Sequence, residues 1–138
     1  MDLDSFIPEL ISKAKFSSTF AYVPYSHFHV GAALLCSSGS IYTGCNVEFS
    51  DYLALHAEVN ALGSAINNGD SDIHIVVVYS ECSPPVLPCG SCRQKLSEFA
   101  SFHNHDIKII AVNSSNERVE HWLSDLLPYS SIPVDSSP

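Results

Sequence analysis

The residues most able to do chemistry in this chain fall in two short stretches. "LHAEVNAL", Leu55 to Leu62, sets a histidine two positions before a glutamate in an otherwise apolar segment, and "LPCGSCRQ", Leu87 to Gln94, follows about thirty residues later. Cys89 and Cys92 have C-x-x-C spacing, which at the start of a helix puts both sulfurs on one face. The amides of a helix N-terminus stabilise thiolates there. Zinc takes Cys and His ligands, and three protein ligands leave a fourth position for water, so His56 is expected as the third ligand. Glu58, two positions beyond His56, points away from the ligand and can hydrogen-bond a zinc-activated water and move its proton.

Each fragment has an ordinary reading. A lone H-A-E is usually part of a surface helix, and a lone C-x-x-C in a reduced compartment could be a redox pair, although no thioredoxin-like context surrounds it. Taken together, H-x-E followed by P-C-x-x-C, both at expected helix starts, is the signature of the zinc-dependent deaminases.

The rest of the chain must position these groups. Apolar residues at Leu3, Phe6, Ile7, Leu10, Ile11 and Ala14 have helical spacing, with Asp4 or Ser5 as the cap and Pro8 in the first turn. Val30 to Leu35 and Ile41 to Val47, joined through "SSG", read as a hairpin. Tyr52 to Ile66 reads as a helix stopped near Gly69. Ile73 to Tyr79 and Ile107 to Val112 read as strands buried on both faces, with a helix from about Cys89 between them. That unit predicts a parallel, right-handed connection. A weaker strand in "NSSNERVEHW" and a short helix in "HWLSDLLP" follow. The pattern predicts one mixed sheet sandwiched between helices, in a single domain spanning residues 1–138.

Composition limits the partners. Of the 138 residues, 46% are hydrophobic and 15% charged, as in a globular protein, and the formal net charge is −9. That charge disfavours nucleic acid, and the basic residues are scattered, with only Arg93 and Lys95 near the candidate site. No run approaches the ~20 apolar residues of a membrane span. The acidic "MDLDSFIPEL" is unlike a basic signal peptide, so a cytoplasmic location is expected. Five cysteines, an odd number, argue against a disulfide framework. Cys36 and Cys45 are placed near each other across the hairpin, as reduced thiols. Cys82 is the one cysteine whose coordination would close the zinc site. His27, His29, His74, His103, His105 and His121 show no partner spacing and read as surface or satisfied histidines.

From about Ala21 to Pro128 the sequence resembles the small, homotetrameric, zinc-dependent cytidine deaminases, through "YVPYSHFHVGAALL", "GCNVE", "HAE", "PCGSCRQ" and "LLP" in family order. The resemblance implies a three-layer α-β-α sandwich around a five-stranded mixed sheet, a homotetramer, and one Zn²⁺ per subunit held by His56, Cys89 and Cys92, with Glu58 as proton shuttle. It implies that Asn46 and Glu48 bind the ribose hydroxyls, that Phe28 stacks on the pyrimidine, and that the Ala57 main chain contacts the base edge. The implied reaction is hydrolytic deamination of cytidine and 2'-deoxycytidine, a step of pyrimidine salvage. Activated water attacks C4, while Glu58 carries its proton to N3 and then to the departing amine. A deaminase of a cytosine-bearing antibiotic of the blasticidin S type is the alternative enzyme, and a non-catalytic zinc module the alternative of another class.

The sequence also departs from the family. Many small members carry Cys as first ligand and then A-E-R, where this chain has His56, Ala57, Glu58 and Val59. Three thiolates on Zn²⁺ give a net −1 centre that an arginine offsets, whereas two thiolates and an imidazole give net zero, so the two replacements form an electrostatic pair. Arg93 is expected to donate to a ligand sulfur. "NVEFSDYLALH" is one residue shorter than the usual stretch, with Phe49 where Asn is common, so the pocket rim differs. Tyr129 or Ile132 stands where members have an aromatic reaching a neighbour's site.

Overall fold

The protein is described by a computed structural model covering residues 2–131; Ile132 lies outside the described residues. The chain runs through a 3-10 turn at Leu3–Phe6, α1 at Ile7–Ser18, β1 at Val30–Cys36, β2 at Ile41–Cys45, α2 at Ala57–Asn67, β3 at Ile73–Ser80, α3 at Gly90–His103, β4 at Lys108–Asn113, β5 at Arg118–Trp122 and α4 at Leu123–Leu126. The strands form one sheet in the order β2-β1-β3-β4-β5. Only β3 and β4 are parallel, paired from Ile75–Lys108 to Ser80–Asn113, as a strand-helix-strand unit requires.

The continuous apolar run of β3 is explained by burial from both sides. On one face Ile75, Val77 and Tyr79 pack with Ile7, Leu10 and Ala14 of α1. On the other, Val76 and Val78 pack with Ala57, Ala61 and Ala65 of α2, Leu96 of α3 and Leu123 of α4. The result is the expected three-layer sandwich. Among the described residues, no helix is long and apolar enough to cross a membrane.

Four local expectations are corrected. The helix expected from Tyr52 begins at Ala57, because Leu55 is held extended by reciprocal hydrogen bonds with Val47 at 2.9 and 2.8 Å. The second hairpin strand ends at Cys45, since Val47 leaves the ladder to bridge Tyr22 and Leu55. The hairpin register pairs Leu35 with Ile41 and Gly31 with Cys45, so Cys36 and Cys45 sit at opposite ends of the hairpin. At the N-terminus, Asp2 caps the 3-10 turn through the Asp4 amide, and α1 follows without a side-chain cap from Asp4 or Ser5. Pro8 does occupy the first turn of α1.

Candidate metal centre

The functional end of the molecule is built from two helix starts. His56 is the N-cap of α2 and Cys89 the N-cap of α3, both with extended backbone and neither making a side-chain cap bond. Ser, Thr, Asp and Asn dominate such positions because their oxygens satisfy the first helical amides. Here the cap side chains turn toward each other instead. His56 Nδ1 lies 3.3 Å from Cys89 Sγ and 3.3 Å from Cys92 Sγ. The three ligand atoms all lie within 4.8 Å of one another. A tetrahedral ion with Zn–N near ~2.0 Å and Zn–S near ~2.3 Å needs an N···S separation of about 3.5 Å, so the donor set fits zinc with little movement.

Cys82 stands outside this group of donors. It is exposed, donates its amide to Ser80 Oγ at 3.4 Å and accepts from Asn113 Nδ2 at 3.0 Å. Burial holds the Cys92 thiol far above its ordinary range. A thiolate at that depth therefore needs a cation beside it.

Glu58 follows His56 by two positions in the first turn of α2 and is only 6% exposed. Burial raises its pKa, opposed by its own main-chain amide, the His56 charge and a hydrogen bond with Cys92. A desolvated carboxyl lifted from its ordinary value is suited to taking and returning a proton.

The placement of α2 depends on a residue to which the sequence analysis gave no role. A Cβ on Gly44 would lie 2.5 Å from the Ala57 carbonyl and 2.5 Å from the Ala61 amide. The missing side chain lets the start of α2 rest on β2. Asn60 fastens the contact, donating Nδ2 to the Cys45 carbonyl at 2.7 Å and its amide to the His56 carbonyl at 3.0 Å. A glycine inside a strand pattern often marks such a close backbone approach, which was the available signal.

The residues expected to contact substrate are engaged with the main chain around the neighbouring loop. Asn46 Oδ1 accepts from the Val30 amide at 2.9 Å, and its Nδ2 donates to the Phe28 carbonyl at 2.8 Å. Glu48 Oε1 accepts from the Tyr25 and Ser26 amides, each at 3.1 Å. Hydrogen bonds from the Ser26 hydroxyl and amide lower the Glu48 pKa. Phe28 is half-buried and lines a cavity of about 290 Å³ with His27, His29, Glu81 and Cys82. Ala57 is buried as the first residue of α2, where the helix leaves its amide without an intrahelical acceptor.

Arg93 does not take the role expected of it. Its Nε donates to the Pro88 carbonyl at 2.6 Å and its NH1 to the Leu126 carbonyl at 3.1 Å. From the first turn of α3 the side chain is directed to α4, so it braces the loop that delivers Cys89.

The family model described as "Cytidine and deoxycytidylate deaminase zinc-binding region" matches residues 5–119. The chain is 38% identical over 123 residues to a cytidine deaminase of Sporosarcina psychrophila, covering 88% of each chain. It is 40% identical over 120 residues to a cytidine deaminase of Halalkalibacterium halodurans, covering 86% of this chain and 89% of that one. The crystal structure of a cytidine deaminase from Burkholderia pseudomallei superimposes with a TM-score of 0.84 at 35% identity, covering 90% of this chain and 98% of the other.

Proposed function

The chain belongs to the cytidine and deoxycytidylate deaminase family, and from that premise we propose that it is a zinc-dependent enzyme hydrolysing cytidine and 2'-deoxycytidine to the corresponding uridines and ammonia. The observation that carries this reading is His56 Nδ1 at 3.3 Å from both sulfurs, with Glu58 buried in the turn that follows.

His56, Cys89 and Cys92 would hold the ion. Bound zinc supplies the Lewis acidity that brings a water's pKa to about 7. Glu58 accepts the proton of the attacking water and delivers it to N3 of the ring. It then takes the second proton from the new C4 hydroxyl and passes it to the exocyclic amine, so that the C4–N bond breaks, ammonia leaves and the C4 carbonyl of the uridine forms. Burial of the carboxyl supports this double duty, because desolvation raises its proton affinity above that of an ordinary glutamate.

Glu48 orders the loop through Oε1 and retains Oε2 as an acceptor for a sugar hydroxyl. Asn46 holds the entry to β1 and has one amide hydrogen left for the sugar. Phe28 provides the face on which the pyrimidine stacks, and the Ala57 amide contacts the base edge. Phe49, Tyr52 and Leu53 are exposed and line a cavity of about 180 Å³ with Tyr25, Glu48 and Ala54. Exposed apolar rims of this kind support a homotetramer in which neighbours complete each pocket, and Tyr129, which is exposed, is a candidate for the residue that reaches across. The net charge of −9 favours a nucleoside over a phosphate-bearing polymer. A cytoplasmic role in pyrimidine salvage accords with that substrate.

The test is ultraviolet-monitored turnover of cytidine, deoxycytidine, dCMP and blasticidin S, with zinc content measured on the same preparation. Loss of absorbance with the two nucleosides is the expected result. Preference for blasticidin S would replace the substrate, and full zinc loading without turnover of any of the four would replace the enzyme with a binding module.

A further inference from the structure

The other end of α3 carries a second group of metal-ligating side chains, unrelated to the site above. Asp72 precedes β3 and His74 is the second residue of that strand, while His103 ends α3 and His105 follows it. Asn104 between the two histidines is left-handed, with φ 56° and ψ 42°, and this reversal folds His105 back toward the start of β3. The His74 and His105 rings stack with centroids 4.0 Å apart and an interplanar angle of 15°. Both present Nε2 to the same carboxylate oxygen. Asp72 Oδ1 is 3.4 Å from His74 Nε2 and 2.5 Å from His105 Nε2, and His103 Nδ1 lies 3.7 Å away.

We propose that Asp72, His74 and His105 form a second divalent-metal site, selective for a transition cation such as zinc. Their three ligand atoms lie within 4.8 Å of one another. Bonds of ~2.0–2.1 Å at a tetrahedral centre need donors about 3.3 Å apart. The His74–Asp72 separation already has this value, and a shift of the half-exposed Asp72 carboxylate opens the His105 side. The outer contacts are those of metal-binding histidines. His105 Nδ1 donates to the Asp106 carbonyl at 2.8 Å, so the hydrogen that Nε2 directs at Asp72 Oδ1, 2.5 Å away, is the one an entering ion displaces. Ser71 Oγ, 2.9 Å from His103 Nε2, orients the third ring beside the site.

Two imidazoles and one carboxylate suit zinc, nickel or copper better than calcium or magnesium. Clefts of about 360 and 520 Å³ both reach His105, so an ion has an open approach. The site lies about 20 Å from Cys89, the length of a 14-residue helix at ~1.5 Å per residue. An ion there would tie the start of β3 to the end of α3 and stabilise the fold without touching the substrate pocket.

The test starts from enzyme carrying one equivalent of zinc at the catalytic centre. Titration calorimetry with ZnCl₂ is expected to show one further equivalent, with a rise in melting temperature. The double variant His74→Ala, His105→Ala is expected to lose both effects and keep its turnover. A single equivalent in the unaltered enzyme, or a second equivalent that survives in the double variant, overturns the proposal. Should the double variant fail to fold, ring-nitrogen NMR of the unaltered enzyme decides. Zinc-induced shifts confined to His74 and His105 support the site, and shifts elsewhere or none overturn it.

Discussion

The two ends of α3 present donor sets of the same size in opposite settings. At the N-terminal end, two sulfurs and one imidazole meet where two helices begin, and the positive helix ends favour thiolates. Beside them Glu58 is 6% exposed. At the C-terminal end, nitrogen and oxygen donors meet where helix carbonyls favour a cation, and the Asp72 side chain is 31% exposed. The difference teaches that ligands alone do not make a catalytic site. The N-terminal end adds an acid stripped of water, whereas at the C-terminal end the effect of burial on Asp72 is outweighed by hydrogen bonds from His105 and Ser37 and the charges of His103 and His74, which hold its carboxyl below the ordinary range.

The comparison breaks most directly at Glu58. Glu58→Gln keeps the shape and removes the shuttle, so turnover of cytidine should fall by ~10²–10⁴-fold, the range of general acid–base catalysis. Zinc content should be unchanged. At the far end His105→Ala should leave turnover unaltered. Steady-state kinetics with metal analysis on both variants checks this, and comparable losses at the two positions would erase the distinction drawn here.

The next effect is one of stability, and it separates two glycines that touch the same helix. Gly44→Ala drives a Cβ to 2.5 Å from main-chain atoms of α2. Backbone cannot rotate aside, so the variant should lose about 1–3 kcal/mol, typical of overpacking. Turnover should fall as well, because the start of α2 carries His56 and Glu58. Gly63 lies within α2 and a Cβ there meets nothing within 4 Å. Gly63→Ala should gain about 0.4–1 kcal/mol by restricting the unfolded chain. Chemical denaturation of both variants measures the two signs. A neutral Gly44→Ala would mean that β2 does not set the position of the helix.

The same contrast explains what was legible in the sequence. His56, Glu58, Cys89 and Cys92 stood out because their spacings are short and each pair lies at one helix start. The strands of the sheet followed from their apolar runs. The start of α2 was misplaced because Tyr52 to Leu55 is apolar enough to extend the helical pattern, while the bonds that hold Leu55 extended come from Val47. Arg93 was misassigned because sequence proximity to Cys92 says nothing of direction. The Asp72 cluster was invisible as such, since its members belong to different elements and are joined only by the parallel β3–β4 unit and the left-handed turn at Asn104. Gly44 was readable as a glycine in a strand, but what it touches was not.

The smallest expected effect concerns how the catalytic end balances charge. His56 with two thiolates makes a neutral centre around Zn²⁺, and Val59, half-buried one position after Glu58, needs no charge. His56→Cys makes the centre net −1. Arg93 does not donate to the sulfurs through Nε or NH1, which are directed at the Pro88 and Leu126 carbonyls. The added negative charge would raise the pKa of the water to be activated and hold the Glu58 proton more tightly, so turnover should fall. Adding Val59→Arg should recover part of the loss. The pH profile should move with it, the single variant shifting its rise in rate to higher pH and the double variant returning it partway. Equal rates and equal profiles in the single and double variants would mean that ligand identity, not net charge, sets the activity of this centre.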